Sequence, residues 1–531
     1  MRYFPSYRIK QTRFGLKIAK VVNLSIVQNI VCIYPFFVVL YTYKFTNLNK
    51  QVIYMRKTKI VCTLGPACSD KATLKKMIMA GMDVARINMS HGVYDVVEEH
   101  VKNINEAAAE CGKNVAILLD TKGPEVRIGT FENKSVDLKA GQTFELYKEP
   151  TEGTDLGISI SYPRLVDLLY ADKTAIGRQL LLDDGKIVMS VQSVTKEKIV
   201  CIVIQGGTLS NRKSINIPDY HINMPFVSAQ DRKDLEFGLS LGVTYVAASF
   251  VRSADDVITM RDFIDSLGYE NVEIISKIEN QSGVDDIDNI IKVSDGIMVA
   301  RGDMGVEIPF IKIPELQKTI IRKVVYAGKY VITATQMLES MTHSPRPTRA
   351  EINDVANAVY DGTSAVMLSG ESAAGDFPVE SVHTLSNICL QAEKHTEYHI
   401  LKDVHKHVER KNSFRENICN AAKNIAENLG ASAIIVESKT GSVARAMARF
   451  RPDCDIIGVV TSMEVCKKLS LNWGITTVLG EELTESDDIT RQAMNKAIET
   501  GIVKKGDTVI VISSNKTVPT SGTDTLNIRI I

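Results

Sequence analysis

Lys277 and Glu279 stand two residues apart in the run Asn271–Glu279, NVEIISKIE, where Ile274, Ile275 and Ile278 are β-branched and bounded by polar residues. That pattern predicts a buried strand, and side chains two apart on a strand project to one face. A second apolar run, Ile297–Ala300, ends in Arg301, Gly302 and Asp303, so Arg301 and Asp303 are expected to share a face too. With the two strands parallel and adjacent, the ammonium of Lys277 and the carboxylates of Glu279 and Asp303 converge at their C-terminal ends. Two carboxylates with few cations around them suit a hard divalent ion. An incomplete oxygen set suits Mg²⁺ completed by substrate and water. The competing reading is an ion-pair network that holds a barrel rim together.

Lys277 itself could serve as a Schiff-base nucleophile or as a fixed positive charge facing a developing anion. Glu279 and Asp303 favour the second, because neighbouring negative charge keeps an amine protonated. Arg86 would add to such an anion site, though a rim arginine is equally at home in a structural role. Gly302 offers a backbone amide to a carboxylate, or only a tight turn. Asn88, Ser90, Asp120 and Thr121 supply mostly neutral oxygens, which suit a monovalent cation better than a divalent one; a hydrogen-bonded strand pair is the plainer alternative. His91 could reach a nucleotide or cap a strand. Thr333 and Thr335, and likewise Ser369 and Glu371, alternate so as to share faces of two further strands.

A βα rhythm positions these residues. It starts at Met55 with KTKIVCTLG and continues through VARINMSHG, AILLDTKG, YVAASFV, NVEIISKIE, GIMVARGD, YVITATQ and AVMLSGE. Eight such units read as a TIM (β/α)₈ barrel, whose chemistry sits at the strands' C-terminal ends, over 55–123 and 225–400. Between them, 124–224 is poor in helix patterns and rich in short alternating runs with Gly turns, which predicts a small inserted β-barrel acting as a lid. The segment 401–531 opens with a charged linker at 402–411, then alternates helix and strand and reads as an open α/β sheet. There, Ser438, Lys439, Thr440, Gly441 and Ser442 precede a helix, an arrangement that binds phosphate or merely caps the helix.

Composition narrows the class. Lys plus Arg and Asp plus Glu both number 63 in 531 residues, so no net charge calls for nucleic acid or an acidic membrane. The 9 cysteines are scattered without a C-x-x-C pair, as expected of reduced thiols in the cytoplasm. Residues 1–54 contain no Asp or Glu and carry an apolar run, Val22–Tyr43, broken by Asn23, Gln28, Asn29 and Pro35. They read as a poor membrane segment or as sequence ahead of a true start at Met55.

The segments VARINMSHG, LLDTKGPEVRIG, IISKIEN, GIMVARGDMGVEIP, ITATQMLESM, PRPTRAE, DVANAV and VMLSGESA resemble the pyruvate kinases, in order, from Met55 to Ile531. The resemblance implies transfer of the phosphoryl group of phosphoenolpyruvate to ADP, the last step of glycolysis, in a cytoplasmic homotetramer. It implies that Lys277 stabilises the transferring phosphoryl group and the enolate, that Glu279 and Asp303 hold Mg²⁺ or Mn²⁺, and that Arg86 binds phosphate. Ala300, Arg301, Gly302, Asp303 and Thr335 would hold the substrate carboxylate, and Thr335, or water relayed through Ser369 and Glu371, would serve protonation. Asn88, Ser90, Asp120 and Thr121 match a K⁺ site, and Glu125 matches the K⁺-requiring branch. Arg127 and Lys213, with Asn88 and His91, are the expected ADP/ATP contacts. The Ser438–Ser442 loop, with Ser521 and Gly522 in VPTSGT, would take a sugar phosphate or nucleotide effector. Met89 and Met304 stand where Phe and Leu are common. Rival functions are a Mg²⁺-enolate C–C lyase on a similar barrel and a silent, membrane-tethered binding protein.

Overall fold

The computed structural model describes residues 55–90, 92–218, 220, 222, 224–395, 414–483, 486–513 and 525–531. The apolar run before Met55 and the linker 402–411 lie outside the described residues. Met55–Ile531 forms one compact unit.

Eight parallel strands close into a barrel: β1 (Lys59–Thr63), β2 (Val84–Asn88), β3 (Ala116–Asp120), and, after the nine strands of the insert, β13 (Tyr245–Ala248), β14 (Glu273–Ile278), β15 (Gly296–Ala300), β16 (Tyr330–Ala334) and β17 (Ala365–Leu368). Around the barrel they run β1, β17, β16, β15, β14, β13, β3, β2. Nearly every residue of these strands is buried, because one face fills the barrel and the other packs under helices. Val61, Leu118, Ile275, Met298 and Ile332 point inward, while Ile60, Ile117, Ile274, Ile297 and Val331 meet the helical layer. Leu471 from the C-terminal sheet domain joins the inward set.

Local chemistry sets the helix ends. Asp70 caps the helix Lys71–Ala80 by accepting from Thr73 N at 2.9 Å. Ser228 with Asp231, and Thr348 with Glu351, form capping boxes.

The insert holds β4 (Val126–Arg127), β5 (Ser135–Leu138), β6 (Thr143–Tyr147), β7 (Gly157–Ser159), β8 (Gln179–Leu182), β9 (Ile187–Val194), β10 (Lys198–Gln205), β11 (Gly207–Ser210) and β12 (Ser214–Asn216). Seven of them make one curled sheet with β4 and β7 at its edges. Gly129 N donates to Ser159 O at 2.8 Å and Ser161 N to Arg127 O at 2.7 Å, so the two edges meet and the sheet closes. One helix, Arg164–Ala171, interrupts this β domain; its RLVDLLYA sequence buries Leu165, Val166 and Leu169 on the lid core.

The C-terminal domain is a five-stranded sheet in the order β20 (Ile475–Leu479), β19 (Asp455–Val460), β18 (Ala433–Glu437), β21 (Thr508–Ser513), β22 (Thr525–Ile530). The run DTVIVIS, which contains β21, is the last strand that the sequence pattern signals. The structure adds β22 as an antiparallel edge, with an intermediate to exposed pattern that carries little hydrophobic signal. Among the described residues, no helix is long and apolar enough to cross a membrane.

Candidate active site

Parallel pairing of β14 with β15 and of β2 with β3 brings the chemistry together at the barrel's C-terminal mouth. Lys277 and Glu279 do share a face: Nζ lies 2.9 Å from Glu279 Oε1. The same ammonium donates to Ser249 Oγ at 2.8 Å and to Asp120 Oδ1 at 3.2 Å. On the other side of Asp120, Arg86 Nε donates to Oδ2 at 2.6 Å, and Arg86 Nη1 donates to Thr63 Oγ1 at 2.9 Å. Two cations and two carboxylates therefore form one chain of contacts, all but excluded from solvent.

Burial acts against every charge in that chain. For Lys277 it works to lower the pKa, but Asp120, Glu279 and Asp303 outweigh it, so the ammonium is held above its ordinary value. That environment is wrong for an amine nucleophile and right for a fixed positive charge. Burial pushes Glu279 up to about 8 against the pull of Lys277, with Asp303 adding repulsion. Asp120 keeps a depressed pKa because Arg86 and Lys277 overcome its burial.

The structure corrects three sequence-derived pairings. Arg301 and Asp303 do not share a strand face: β15 ends at Ala300, and both lie in the first turn of the helix Arg301–Glu307. Arg301 turns away from Lys277, donating to Asp354 at 2.8 Å and to Thr335 O at 2.6 Å. Thr333 and Thr335 also part company. Thr333 is buried against Thr363, while Thr335 lies beyond β16 in a left-handed conformation, φ 68°, strained for a β-branched residue. Its Oγ1 accepts from Gly302 N at 2.8 Å, which ties the two mouth loops together. Finally, Ser369 and Glu371 leave the strand. Glu371 sits in the short helix Gly370–Ala373 and is fully buried, accepting from Ser369 N at 2.7 Å and Leu338 N at 3.0 Å. Ser90 likewise follows a strand that ends at Asn88.

The donor chemistry fits cations at two places. Glu279 Oε2 accepts from Phe250 N at 2.6 Å, but buried Oε1 has no hydrogen-bond partner, although Lys277 Nζ faces it at 2.9 Å as an ion pair. An orphaned buried carboxylate oxygen, with Asp303 close enough to shift its titration, suits a hard divalent ion. Among the described residues no three acidic, His or Cys side chains cluster as a metal site. Asn88 and Asp120 are register partners, and Asn88 Oδ1 accepts one bond, from Ser90 N at 3.1 Å, keeping a lone pair for a larger monovalent ion.

On the lid, Arg127 pairs with Glu125 at 2.7 Å, and Lys213 with Asp183 at 2.8 Å. Arg127, Lys122 and Arg212 line a cleft of about 530 Å³ together with hydroxyls of Thr130, Thr151, Ser159 and Ser161. In the C-terminal domain, Ser438 is buried, Lys439 pairs with exposed Glu482 at 2.7 Å, and Gly441 adopts φ 76° immediately before the helix Ser442–Arg449. His91, Ser521 and Gly522 lie outside the described residues. Sequence reasoning missed Ser249 and Phe250, which follow β13. The only signal was a lone polar residue at the end of YVAASFV.

Family models described as pyruvate kinase, barrel domain, and pyruvate kinase, alpha/beta domain, match residues 55–382 and 416–529. A pyruvate kinase of Bacillus licheniformis is 44% identical over 460 residues, covering 86% of this chain and 77% of that one. One of Geobacillus stearothermophilus is 42% identical over 479 residues, covering 90% and 80%. A crystal structure of a pyruvate kinase from Cryptosporidium parvum superimposes with a TM-score of 0.84 at 38% identity, covering 92% of this chain and 98% of that one.

Proposed function

The chain belongs to the pyruvate kinase family, and from that premise we propose that it transfers the phosphoryl group of phosphoenolpyruvate to ADP through the site at the barrel mouth. The observation that carries this assignment is the Lys277 ammonium, held charged and nearly dry beside a Glu279 oxygen that lacks a hydrogen-bond partner.

Phosphoryl transfer asks the protein mainly for positioning and for compensation of charge on non-bridging oxygens. Lys277 and Arg86 supply that compensation: the first faces the transferring group and the enolate oxygen that it leaves, the second faces the phosphate. A low-dielectric site strengthens both, and fixed partners spare them reorganisation. The turn Ala300–Asp303 would offer the Gly302 amide, and Thr335 its hydroxyl, to the substrate carboxylate, which would replace Thr335 Oγ1 and Ala334 O as their acceptors. Glu279 and Asp303 would hold Mg²⁺ or Mn²⁺, which would supply positive charge to substrate oxygens when bound. Asn88, Ser90, Asp120 and Thr121 would hold K⁺. Arg127 and Lys213 on the lid bind ADP, so the nucleotide draws the lid over the mouth and excludes water that would otherwise hydrolyse the phosphoryl group. Thr335, or water ordered by the Ser369–Glu371 turn, delivers the proton to the enolate carbon. A phosphorylated effector would occupy Ser438–Ser442, and a homotetramer is the expected assembly. The C–C lyase reading leaves the lid cations without a role.

The test is pyruvate formation from phosphoenolpyruvate and ADP. Activity should require Mg²⁺, vanish with EDTA and rise with K⁺. A folded protein that forms no pyruvate under any of these conditions, with hexose phosphates and AMP included, contradicts the reading.

A further inference from the structure

Ser249 and Phe250 form a two-residue turn after β13 that touches both members of the Lys277–Glu279 pair. Ser249 is 2% exposed. Its hydroxyl accepts from Lys277 Nζ at 2.8 Å and lies 2.7 Å from Thr121 O and 3.0 Å from Asp120 Oδ1, so its single proton has an acceptor. The neighbouring backbone N–H, that of Phe250, donates to Glu279 Oε2 at 2.6 Å. Phe250 pays for that reach with a left-handed backbone, φ 57°.

An ammonium has three N–H bonds. Ser249 and Asp120 take two of those of Lys277, and their directions fix the third. Glu279 Oε1, 2.9 Å away, meets the ammonium as an ion pair without a hydrogen bond, so the third N–H is the one left for a substrate oxygen. Ser249 does this as a neutral acceptor, so it orients the ammonium without cancelling the charge. Phe250 N meanwhile occupies Oε2 of Glu279 and leaves Oε1 without a hydrogen-bond partner. One turn thus aims a donor and an acceptor toward the same space. We propose, resting on the phosphoryl-transfer reading above, that Ser249 is a positioning residue for that reaction. It directs the third N–H of Lys277 at the transferring phosphoryl group, while the Phe250 amide holds Glu279 in its working orientation.

The turn also abuts the lid hinge. Gly123, φ 72°, precedes Pro124, where the insert begins, and a Cβ there would meet Ser249 Cβ and O at 2.9 Å and Phe250 Cδ2 at 3.1 Å. The Phe250 ring lines a cavity of about 320 Å³ bounded by both connecting arms of the lid, through Pro124 and Val126 on one side and Ile217 and Met224 on the other.

The experiment compares wild type, Ser249→Ala, Ser249→Cys and Lys277→Met in steady-state pyruvate formation, with circular dichroism and thermal unfolding on each. Loss of a hydrogen bond to a charged group corresponds to a drop of about tenfold to a hundredfold. That drop should fall on kcat for both Ser249 variants, with KM for ADP within twofold of wild type and an unchanged circular dichroism spectrum. Cys leaves no cavity, being slightly larger than Ser, but is a weak acceptor, so it decides the matter should Ala fail to fold. If kcat of a folded Ser249 variant stays within twofold of wild type while Lys277→Met collapses, the positioning role is wrong and the reading of Lys277 stands. A rise in KM for both substrates at unchanged kcat also overturns it. Full activity in Lys277→Met overturns the underlying reading.

Discussion

Strand β14 carries a buried charged cluster at each end, and the two differ in how completely they are satisfied. At the N-terminal end, Glu273 is ion-paired by Arg445 through Oε1 and accepts from Tyr330 OH through Oε2 at 2.9 Å, so both oxygens are occupied. At the C-terminal end, Glu279 accepts a hydrogen bond through Oε2 alone, while Oε1 faces Lys277 Nζ at 2.9 Å as an ion pair and has no hydrogen-bond partner. Burial raises the pKa of both carboxylates. Strain divides the same way. Among the described residues of the barrel, the non-glycine residues with positive φ are Phe250, Thr335 and Gln336, and each follows a strand's C-terminal end. A carboxylate that only holds the C-terminal sheet domain to the barrel has both of its oxygens hydrogen-bonded. Groups that must meet a ligand keep an unmet valence and are held in place by neighbours under strain.

Glu279→Gln should break this contrast most severely. The change keeps size but removes the charge facing the divalent ion, so kcat in Mg²⁺ should fall at least a hundredfold, on the order expected for losing one strong electrostatic partner in a transition state. Thermal unfolding should move little or upward, because a costly buried carboxylate is gone.

The opposite pattern is expected of Arg445→Met. Glu273 would be left buried with Tyr330 alone, costing about 3 kcal/mol of stability by the precedent of broken buried pairs. Denaturant unfolding should register that loss, whereas kcat should stay within about threefold at a temperature where the protein is folded. Arg445 lies in the helix Ser442–Arg449, directly after the expected effector loop, so a larger kinetic effect would instead tie that helix to β14.

Gly123→Ala tests the strain at the mouth. At φ 72° an alanine costs about 1 kcal/mol or more, and its Cβ would press on the Ser249–Phe250 turn. Stability and kcat should both decline, kcat by about fivefold to tenfold if the turn shifts Lys277.

The smallest effect is expected outside the barrel wall. Exposed Glu110 pairs with Lys71 and Lys75, whose hydrogen bonds and charges lower its carboxyl to about 2. A depressed carboxyl contributes stability above its unfolded pKa of about 4.3, and the contribution fades as pH falls toward about 2. Solvent and salt screen it, so Glu110→Gln should shift the unfolding temperature at pH 7 by less than about 2 °C, and less again in 1 M salt.

The barrel was legible because its strands are dense β-branched runs separated by amphipathic helices, a signal that survives without tertiary context. Strand ends were not. Arg301–Asp303 and Ser369–Glu371 turn helical within three residues, too short for a period of two to be told from one of 3.6. Lys277 and Glu279 were readable as neighbours on one strand. The partners of Asp120 were not, since Arg86 is 34 residues away and Lys277 is 157. Adjacency to Thr121 grouped Asp120 with neutral oxygens, and only barrel closure places it between two cations. Ser249 was hidden because its role is assigned by what faces it across the β13–β14 pair and not by its own type. The lid helix escaped because eight residues in a β-rich context offer barely two turns of periodicity.

The most direct test of the central claim, that a buried and permanently charged Lys277 drives the reaction, is kcat for pyruvate formation by Lys277→Met, with Mg²⁺, K⁺ and saturating phosphoenolpyruvate and ADP. The expected result is a loss of about a thousandfold or more in a protein whose circular dichroism and unfolding match wild type. A folded Lys277→Met enzyme within tenfold of the wild-type kcat would contradict it.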